Sequence, residues 1–372
     1  MVEKKEIIKK FFERGYLLTP ESVDFLVKSK NYENLLNKIG YTNKFILSIE
    51  DFSKFEKLEN RIKIIKNLTK KPEELTTETF TKFYNSKFEK MRKIILERVK
   101  KEFISIDKID DSRQKVYVIG IVREIKENKE KTILEIEDPT RSINIVFDNL
   151  KDKIEIDDVI AVGGIGSKNM IFGKEIIYPD IPLRQPTKGF GGKICAISDL
   201  HLEEAPIEKL IAFLKWFNKL DIKYLIVVGD IGDLGKFNKL INEYILEKTI
   251  FLIPGEKDKK EYPSLPFKIK NDNIVSLSNP SIIEINNIKF LLIHKFDIEM
   301  LKKRYLGKSK LILEDDYLVL EDIPDVVICG HTQEPNIFNY KAITIINSGS
   351  LLTNFKPTIL DLATREYEQM TF

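Results

Sequence analysis

Apolar residues in the N-terminal third of the chain recur at the spacing of amphipathic helices. Ile7 and Phe11 lie four residues apart, with apolar neighbours on the same predicted face. Thr19-Pro20 marks the start of a second helix, because a hydroxyl residue can cap a helix whose first position is proline. The segment 87–104 resumes the helical period. These patterns predict a helical N-terminal region and linker over residues 1–110.

The charged stretch 51–78 has no clean period, and we interpret it as helix grading into linker. Residues 1–112 hold 25 Lys/Arg and 19 Asp/Glu, a net charge of +6, whereas the remaining residues hold 36 and 39, a net charge of −3. Attraction to phosphate backbones would therefore favour the N-terminal third. A solvated Lys/Glu-rich surface would have the same composition, so charge alone leaves both interpretations open.

Near Lys115 the pattern changes from a helical period to that of strands. Five short runs rich in β-branched residues follow, separated by turn-forming residues. They are VYVIGIVREI, TILEIED, INIVFD, VIAVGGIG and MIFGKEIIYP. Five strands without long helices predict an OB-fold β-barrel over residues 111–186. Such barrels bind single strands or brace neighbouring domains, and the small number of aromatic residues here favours the bracing role.

Beyond the proline- and glycine-bearing linker LRQPTKGFGG, predicted strands and helices alternate. The strands are nearly unbroken apolar runs, as expected for strands that are buried on both faces. They are KICAIS, YLIVVG, TIFLIP, KFLLI, DVVIC and AITII. Amphipathic helices follow the first two, around Leu210 and Leu240. The pattern predicts a layered α/β domain over residues 187–372.

Polar residues of this domain concentrate where its predicted strands end. A lone aspartate there is usually a turn or cap residue, and a lone histidine is usually structural. Here, however, all three histidines of the chain follow strands of one domain. Because ligands bind beyond the carboxyl ends of strands in open α/β sheets, we expect these side chains to meet at one edge. The residues at the strand ends are Asp199, His201, Asp230, Glu256, Lys257, Asp258, His294, His331, Gln333 and Asn347.

Imidazole and carboxylate groups at one edge are suited to divalent metal ions. Mixed nitrogen and oxygen ligands fit Mn²⁺, Fe²⁺ or Zn²⁺ better than Ca²⁺. Asp199 and His201 are two residues apart, so both can face one ion, and Asp230 can bridge two ions. Two metals about 3.5–4 Å apart can hold a phosphodiester and activate a water for attack on phosphorus. The pattern therefore predicts a site for divalent metal, of a kind that can serve phosphodiester hydrolysis.

The series Asp-x-His, Gly-Asp, Gly-x-x-Asp, an isolated His and Gly-His resembles the calcineurin-like metallophosphoesterases. The whole chain is similar to the small subunits of archaeal D-family DNA polymerases, and the likeness covers most of residues 85–372. It is carried by RQKVYVIGIVREIKENKEKTILEIEDPT, LKKRYLGKSKLILEDDYLVLEDIPDVVICGH and TIINSGSLLTNFKPTILDL. The resemblance implies an α/β metallophosphoesterase domain preceded by an OB-fold and a helical region. It also implies a Mn²⁺-dependent 3′–5′ exonuclease.

The resemblance further implies a ligand set for two ions. One metal would be held by Asp199, His201, Asp230 and Gln333, and the second by Asp230, Glu256, His294 and His331. Catalytic roles are implied for Asp199, His201, Asp230, Lys257 and Asp258.

Three positions depart from the family pattern. Glu256-Lys257 replaces Asn-His, and Gln333 replaces the second histidine of Gly-His-x-His. Glu256 can still ligate through oxygen, whereas Gln333 is a weak neutral ligand. Lysine is a poorer proton donor than histidine near neutral pH, so a weakened reaction is expected.

Three functions remain open at this point. The chain is a nuclease subunit retuned by these substitutions, an inactive subunit that braces the large polymerase subunit, or a free-standing phosphoesterase acting on small diesters. The N-terminal helices and the barrel argue against the third. The expected partners are the large catalytic subunit, single-stranded 3′ ends of DNA and a sliding clamp. No run of about 20 apolar residues occurs, so we expect no membrane span. The resemblance implies a cytoplasmic, nucleoid-associated protein.

Overall fold

In a computed structural model, the chain forms two compact units. One comprises residues 1–70, 184–296 and 324–372, and the other comprises residues 71–183 and 297–323. The structure describes residues 4–28, 36, 44–52, 61–70, 76–128, 131–309 and 311–372. Each unit combines segments that are distant along the chain, so the domain boundaries at 110/111 and 186/187 remain predictions.

The N-terminal segment contains the two predicted helices. Its elements are α1 (Lys4–Phe12), β1 (Leu17–Leu18), α2 (Pro20–Lys28) and β2 (Ile46–Leu47). Thr19 Oγ1 accepts a hydrogen bond from Ser22 N at 3.3 Å, which confirms the predicted cap of α2. Ile7 and Phe11 are fully buried in a small apolar cluster, which confirms the predicted stripe of α1.

A closed five-stranded barrel forms the centre of the unit of residues 71–183 and 297–323, as predicted. Its strands are β4 (Lys115–Glu127), β5 (Lys131–Glu137), β6 (Ser142–Asp148), β7 (Val159–Ser167) and β8 (Met170–Ile177), in the order β4-β5-β6-β8-β7. Alternate residues of β5 and β6 enter the barrel core, among them Leu134, Ile136 and Ile145. The same unit contains the long helix α3 (Thr77–Arg98) and the short helix α6 (Ile298–Lys303).

Two six-stranded sheets form most of the other unit. The first contains β9 (Lys193–Ser198), β10 (Tyr224–Val228), β11 (Thr249–Ile253), β12 (Ile274–Ser276), β18 (Thr358–Asp361) and β19 (Tyr367–Gln369). Its order is β12-β11-β10-β9-β18-β19, and β9 to β12 run parallel. The second contains β3 (Ile62–Lys66), β13 (Ser281–Ile285), β14 (Ile288–Leu292), β15 (Val326–Cys329), β16 (Asn336–Tyr340) and β17 (Ile343–Asn347). Its order is β16-β17-β15-β14-β13-β3.

The two sheets pack in layers, with helices on one side. Helices α4 (Ile207–Lys219) and α5 (Leu234–Tyr244) cover the outer face of the first sheet, where Phe213 and Phe237 are fully buried. The inner face meets the second sheet in a common core that includes Ile226 and Phe290. This arrangement confirms the predicted layered domain, and burial on both faces explains the unbroken apolar runs of the strands. No helix within the described residues is long and apolar enough to cross a bilayer.

Strand β3 corrects the prediction for residues 51–78. It pairs antiparallel with β13, with Ile64 opposite Ile283, so helix grading into linker is the wrong expectation for these residues. The remainder of that prediction falls partly on 53–60 and 71–75, which lie outside the described residues. A short, half-exposed edge strand obtains its hydrogen bonds from a partner far along the chain, so its local sequence carries little periodic signal.

Candidate metal centre

Most predicted ligands follow parallel strands whose carboxyl ends reach one edge of the layered sheets. Asp199 follows β9, Asp230 follows β10 and Glu256 follows β11. In the second sheet, His294 and His331 follow β14 and β15, which also run parallel. Parallel pairing brings these strand ends together, as the sequence predicts. Within the described residues, two groups of side chains are arranged so that each could hold a metal ion.

The deeper group consists of Asp199, His201 and Asp230. Their ligand atoms lie within 4.8 Å of one another, and all three residues are buried. His201 Nε2 is 3.8 Å from Asp199 Oδ1. Asp230 Oδ1 accepts a hydrogen bond from Lys257 N at 2.9 Å, and its Oδ2 lies 3.7 Å from His294 Nε2.

The outer group consists of Glu256, His294 and His331. His331 Nδ1 lies 3.3 Å from Glu256 Oε2, and these two side chains are 40% and 49% exposed. His294 is the fully buried member of the outer group, and its Nε2 lies 3.2 Å from Asp199 Oδ1 of the deeper group. One half of the site is therefore enclosed by protein, and the other half opens to solvent.

Four predicted ligands hold backbone conformations that side chains rarely adopt. Asp199, His201, Asp230 and His331 have φ angles of 52°, 45°, 48° and 70°. Left-handed conformations of residues other than glycine are costly, and they persist where the surrounding structure imposes them. The chain turns sharply directly after each strand, which points these polar groups into the site.

Two glycines allow the close approach of neighbouring loops around the aspartates. A Cβ added at Gly255 would lie 2.2 Å from both Asp230 N and Asp230 Oδ1. A Cβ added at Gly330 would lie 2.4 Å from Asp199 Oδ2. Any larger residue at either position would displace a predicted ligand.

Asp258 organises the loops of the site through its carboxylate. Its Oδ1 accepts hydrogen bonds from Ile231 N at 3.0 Å and Gly232 N at 3.1 Å, and its Oδ2 accepts one from Gly255 N at 2.8 Å. The carboxylate thereby ties the loop after β10 to the loop after β11. These hydrogen bonds are those of a residue that positions the loops, and the catalytic role of Asp258 stays a prediction.

Two of the three departures from the family pattern, Lys257 and Gln333, lie on the exposed side of the site. Lys257 is exposed, and its backbone N–H rather than its ammonium contacts Asp230. Gln333 is also exposed, and its backbone carbonyl oxygen accepts a hydrogen bond from Thr353 Oγ1 at 3.1 Å. Their side-chain roles as phosphate-facing cation and metal ligand remain predictions.

Asn347, at the end of β17, stabilises the loop that carries His331. Its Nδ2 donates hydrogen bonds to the carbonyl oxygens of Gly330 and Thr332, each at 3.2 Å, and its Oδ1 accepts one from Gly349 N at 2.9 Å. Asn347 is 4% exposed. Its strand-end position is visible in the sequence, but only the fold reveals which loop it holds.

The charges around His294 favour its protonated form in the metal-free chain. Burial acts against the imidazolium, but the hydrogen bond and charge of Asp199, with the charges of Asp230 and Glu256, outweigh it. The pKa of His294 therefore lies above its ordinary value of 6.5.

The residues present are well suited to divalent cations. Asp199 and Asp230 are almost fully buried, and within the described residues their only basic ion-pair partners are histidines. Buried carboxylates need a compensating cation. His294 Nδ1 is also buried without a hydrogen-bond partner among the described residues. Mixed imidazole and carboxylate donors of this kind are typical ligands of first-row divalent metals.

Comparison with known proteins defines the class of this domain. Residues 193–369 match the family model described as the calcineurin-like phosphoesterase superfamily domain. An archaeal phosphodiesterase of known structure aligns with 48% of this chain and 99% of its own, at 22% identity and a TM-score of 0.36. The match to this family model identifies a calcineurin-like phosphoesterase domain in the C-terminal half of the chain, as the sequence predicts.

The similarity to particular proteins extends over nearly the whole chain. The DNA polymerase II small subunit of Archaeoglobus fulgidus is 24% identical over 94% of this chain and 91% of its own length. The subunit of the same name from Thermoplasma acidophilum is 28% identical, over 98% and 92%. These relatives confirm the predicted resemblance to archaeal DNA polymerase small subunits.

Proposed function

We propose that this chain is the small subunit of an archaeal DNA polymerase and that its metal centre removes nucleotides from 3′ ends of single-stranded DNA. The observation that carries the proposal is the enclosed group of Asp199, His201 and Asp230 within a phosphoesterase domain. Similarity to polymerase small subunits over more than nine tenths of the chain supports the biological setting.

The residues that would hold two divalent ions fall into the two groups described above. Asp199, His201 and Asp230 would hold one ion, with Gln333 as a weak fourth ligand. Glu256, His294 and His331 would hold the second, with Asp230 shared between the two. When bound, two such ions supply Lewis acidity and a water of lowered pKa. Mixed imidazole and carboxylate donors fit Mn²⁺, Fe²⁺ or Zn²⁺. Among these we choose Mn²⁺, because the resemblance to archaeal polymerase small subunits implies it.

The reaction is hydrolysis of the terminal phosphodiester. A water oxygen forms a bond to phosphorus, the bond from phosphorus to the 3′ oxygen of the preceding nucleotide breaks, and that oxygen takes up a proton. Lys257 lies on the exposed side, where its ammonium would neutralise a phosphate oxygen. Asp258 would keep the loops after β10 and β11 in place through its backbone hydrogen bonds.

The proposed partners are the large polymerase subunit and DNA, with the nucleoid as the place of action. Contact with a sliding clamp remains a prediction from the resemblance. An architectural subunit without nuclease activity is the competing function, and the observation that favours it is the replacement of two family histidines by Lys257 and Gln333.

The test is an exonuclease assay of the purified chain, with and without Mn²⁺, on a single strand labelled at its 5′ end. We expect stepwise shortening from the 3′ end that depends on the metal. Asp230→Asn should abolish it, because this substitution keeps the acceptor for Lys257 N but removes the charge. Asp221→Asn is the matched control, since Asp221 is exposed before β10, at the opposite end of that strand.

Elemental analysis and co-purification separate the alternatives. If the wild-type chain binds metal and co-purifies with a large polymerase subunit but has no exonuclease activity, it is the architectural subunit. Activity on small diesters without such a partner would support the free-standing phosphoesterase. Equal shortening by wild type and Asp230→Asn would contradict the proposed metal centre.

A further inference from the structure

A cavity in the unit of residues 71–183 and 297–323 has no part in the proposed metal centre. Its volume is about 300 Å³, which at ~30 Å³ per water-sized group would hold roughly ten non-hydrogen atoms. Its walls come from α3, the loop between β6 and β7, α6 and the segment after α6. The apolar and aromatic side chains that line it are Phe83, Tyr84, Ile156, Met300, Tyr305 and Ile312.

Lys87 lines this cavity from a position where an apolar residue is expected. Buried side chains of α3 recur every four residues, and the series is Phe83, Lys87, Met91 and Ile95. Lys87 is 3% exposed, and its ammonium lies 3.7 Å from the centroid of the Tyr305 ring. Among the described residues, this ammonium has neither a hydrogen-bond acceptor nor an ion-pair partner. A buried cation in that situation carries a desolvation cost that a bound anion would offset.

Each carboxylate around the cavity has a partner within 4 Å, although Glu299 Oε2 is buried without a hydrogen bond among the described residues. Asp297 caps α6 by accepting a hydrogen bond from Glu299 N at 3.0 Å. The other four form ion pairs with lysine or arginine. The pairs are Asp158 with Lys303, Asp157 with Arg123, Glu155 with Lys153 and Glu299 with Lys302, at 2.8, 3.7, 3.9 and 3.8 Å. Among the described residues that line this cavity, Lys87 is the almost fully buried charged side chain that forms no ion pair.

The buried acid Asp316 forms neither a hydrogen bond nor an ion pair with Lys87 in the described part of the chain. Asp316 accepts hydrogen bonds from Tyr305 Oη at 3.0 Å and from Leu318 N at 2.9 Å. Burial lowers the pKa of Lys87, although Asp316, Asp157 and Asp158 act in the opposite direction. A hydrogen-bond acceptor of negative charge inside the cavity would restore the ordinary preference of the amine for its charged form.

We propose that this cavity binds a small organic anion. One carboxylate or phosphate group would accept hydrogen bonds from Lys87 Nζ, and an aromatic or aliphatic body would pack against Phe83, Tyr84 and Ile156. The apolar lining accounts for the body, and the uncompensated ammonium accounts for the anionic group. This site is separate from the proposed nuclease function and does not depend on it.

Methyl NMR of the full chain can locate binding without any substitution. The chain has five methionines, so selective labelling gives a short set of signals. Met300 lines the cavity, whereas Met170 and Met370 do not and serve as internal references. Phenyl phosphate and phenylacetate are the probes, added with a chelator present so that no metal recruits them elsewhere. We expect a saturable shift of Met300, with little change in the two references.

The Lys87→Met variant tests the anion contact directly. It keeps the length and helix propensity of the side chain, and its affinity for the probes should fall by about tenfold to 100-fold. Lys93→Met is the matched control, because Lys93 is exposed on the same helix. Inorganic phosphate and benzyl alcohol, which each supply half of the chemistry, should bind more weakly than the complete probes.

The outcomes separate clearly. Stronger binding of one probe identifies phosphate or carboxylate as the preferred anionic group, provided that Lys87→Met weakens it and Lys93→Met does not. Absence of a Met300 response to either probe would overturn the proposal. The same would follow if Lys87→Met bound the probes as tightly as the wild type.

Discussion

Each of the two compact units contains a proposed site with buried charge, which is carried by carboxylates in one unit and by an ammonium in the other. In the phosphoesterase domain, Asp199 and Asp230 are buried carboxylates whose only basic ion-pair partners among the described residues are histidines. In the unit of residues 71–183 and 297–323, here called the barrel unit, the buried ammonium of Lys87 has no hydrogen-bond acceptor among the described residues. Uncompensated charge inside a protein is costly, so each arrangement indicates a missing partner of opposite sign: metal ions in the first and an anion in the second.

The two sites differ in how far the backbone is adapted to them. At the metal centre, four predicted ligands have positive φ angles. Gly255 and Gly330 have no side chain that would clash with Asp230 and Asp199. Lys87, by contrast, lies on the buried face of a regular α-helix. We infer that the metal centre depends on fixed loop geometry, whereas the cavity depends mainly on one side chain. Substitutions should therefore affect the two sites to very different extents.

The largest effect is expected for Gly255→Ala. The added Cβ would clash with Asp230 N and Oδ1, and displacement of about 1 Å in an active site can cost roughly 100-fold in rate. Exonuclease activity and Mn²⁺ affinity, measured by calorimetry, should fall together. Gly235→Ala is the control, because a Cβ there meets only Asp233 Oδ1, at 3.3 Å. Equal activity of both variants would show that the loop geometry is not critical.

Lys257→His combined with Gln333→His should raise activity by about tenfold to 100-fold. The first change supplies a better proton donor, and general acid catalysis contributes typically 10²–10⁴-fold. The second change supplies a stronger ligand for the deeper group. Single-turnover assays of the double variant and of each single variant would measure both contributions. No gain in any variant would mean that these departures do not limit the reaction.

Mn²⁺ affinity should fall as the pH is lowered. The pKa of His294 is raised because the effect of the nearby carboxylates outweighs that of burial. In the metal-free chain, protonation of His294 therefore stabilises the fold at low pH. This stabilisation is lost as the pH rises through the raised pKa. A metal must displace the proton, so its affinity should drop by about tenfold for each pH unit below that pKa. Calorimetry across this range tests the expectation, and a flat profile would contradict it.

The smallest effect concerns the stability of the barrel unit. Because burial lowers the pKa of Lys87 below 10.5, its charge destabilises the fold at neutral pH. Lys87→Met should raise the free energy of unfolding by about 1 kcal/mol, after the loss of the contact with Tyr305 is included. Denaturant unfolding would measure this difference in the free energy of unfolding. The difference should become smaller as the pH approaches 10.5, the ordinary pKa of lysine. A destabilised Lys87→Met variant would show that the ammonium is satisfied in the fold.

Much of the fold could be predicted because its elements are buried in regular ways. The five barrel strands and six strands of the layered sheets carry unbroken or alternating apolar runs, and their positions agree with the structure. Strand β3 could not be predicted, since it is half-exposed and depends on β13 for its hydrogen bonds. The hydrogen bonds of Asp258 and Asn347 could not be predicted from the sequence either, because each residue bonds to a loop that is distant along the chain.

The sequence by itself determined which residues follow the strands, and therefore which polar groups can meet at one edge of the sheets. Parallel pairing is strongly favoured by strands buried on both faces, so this inference needs only local patterns. The tertiary structure alone decided which ligands are enclosed and which are exposed, and it left Lys87 without an acceptor among the described residues. Burial and charge compensation depend on residues brought together from distant segments, and no local pattern contains that information.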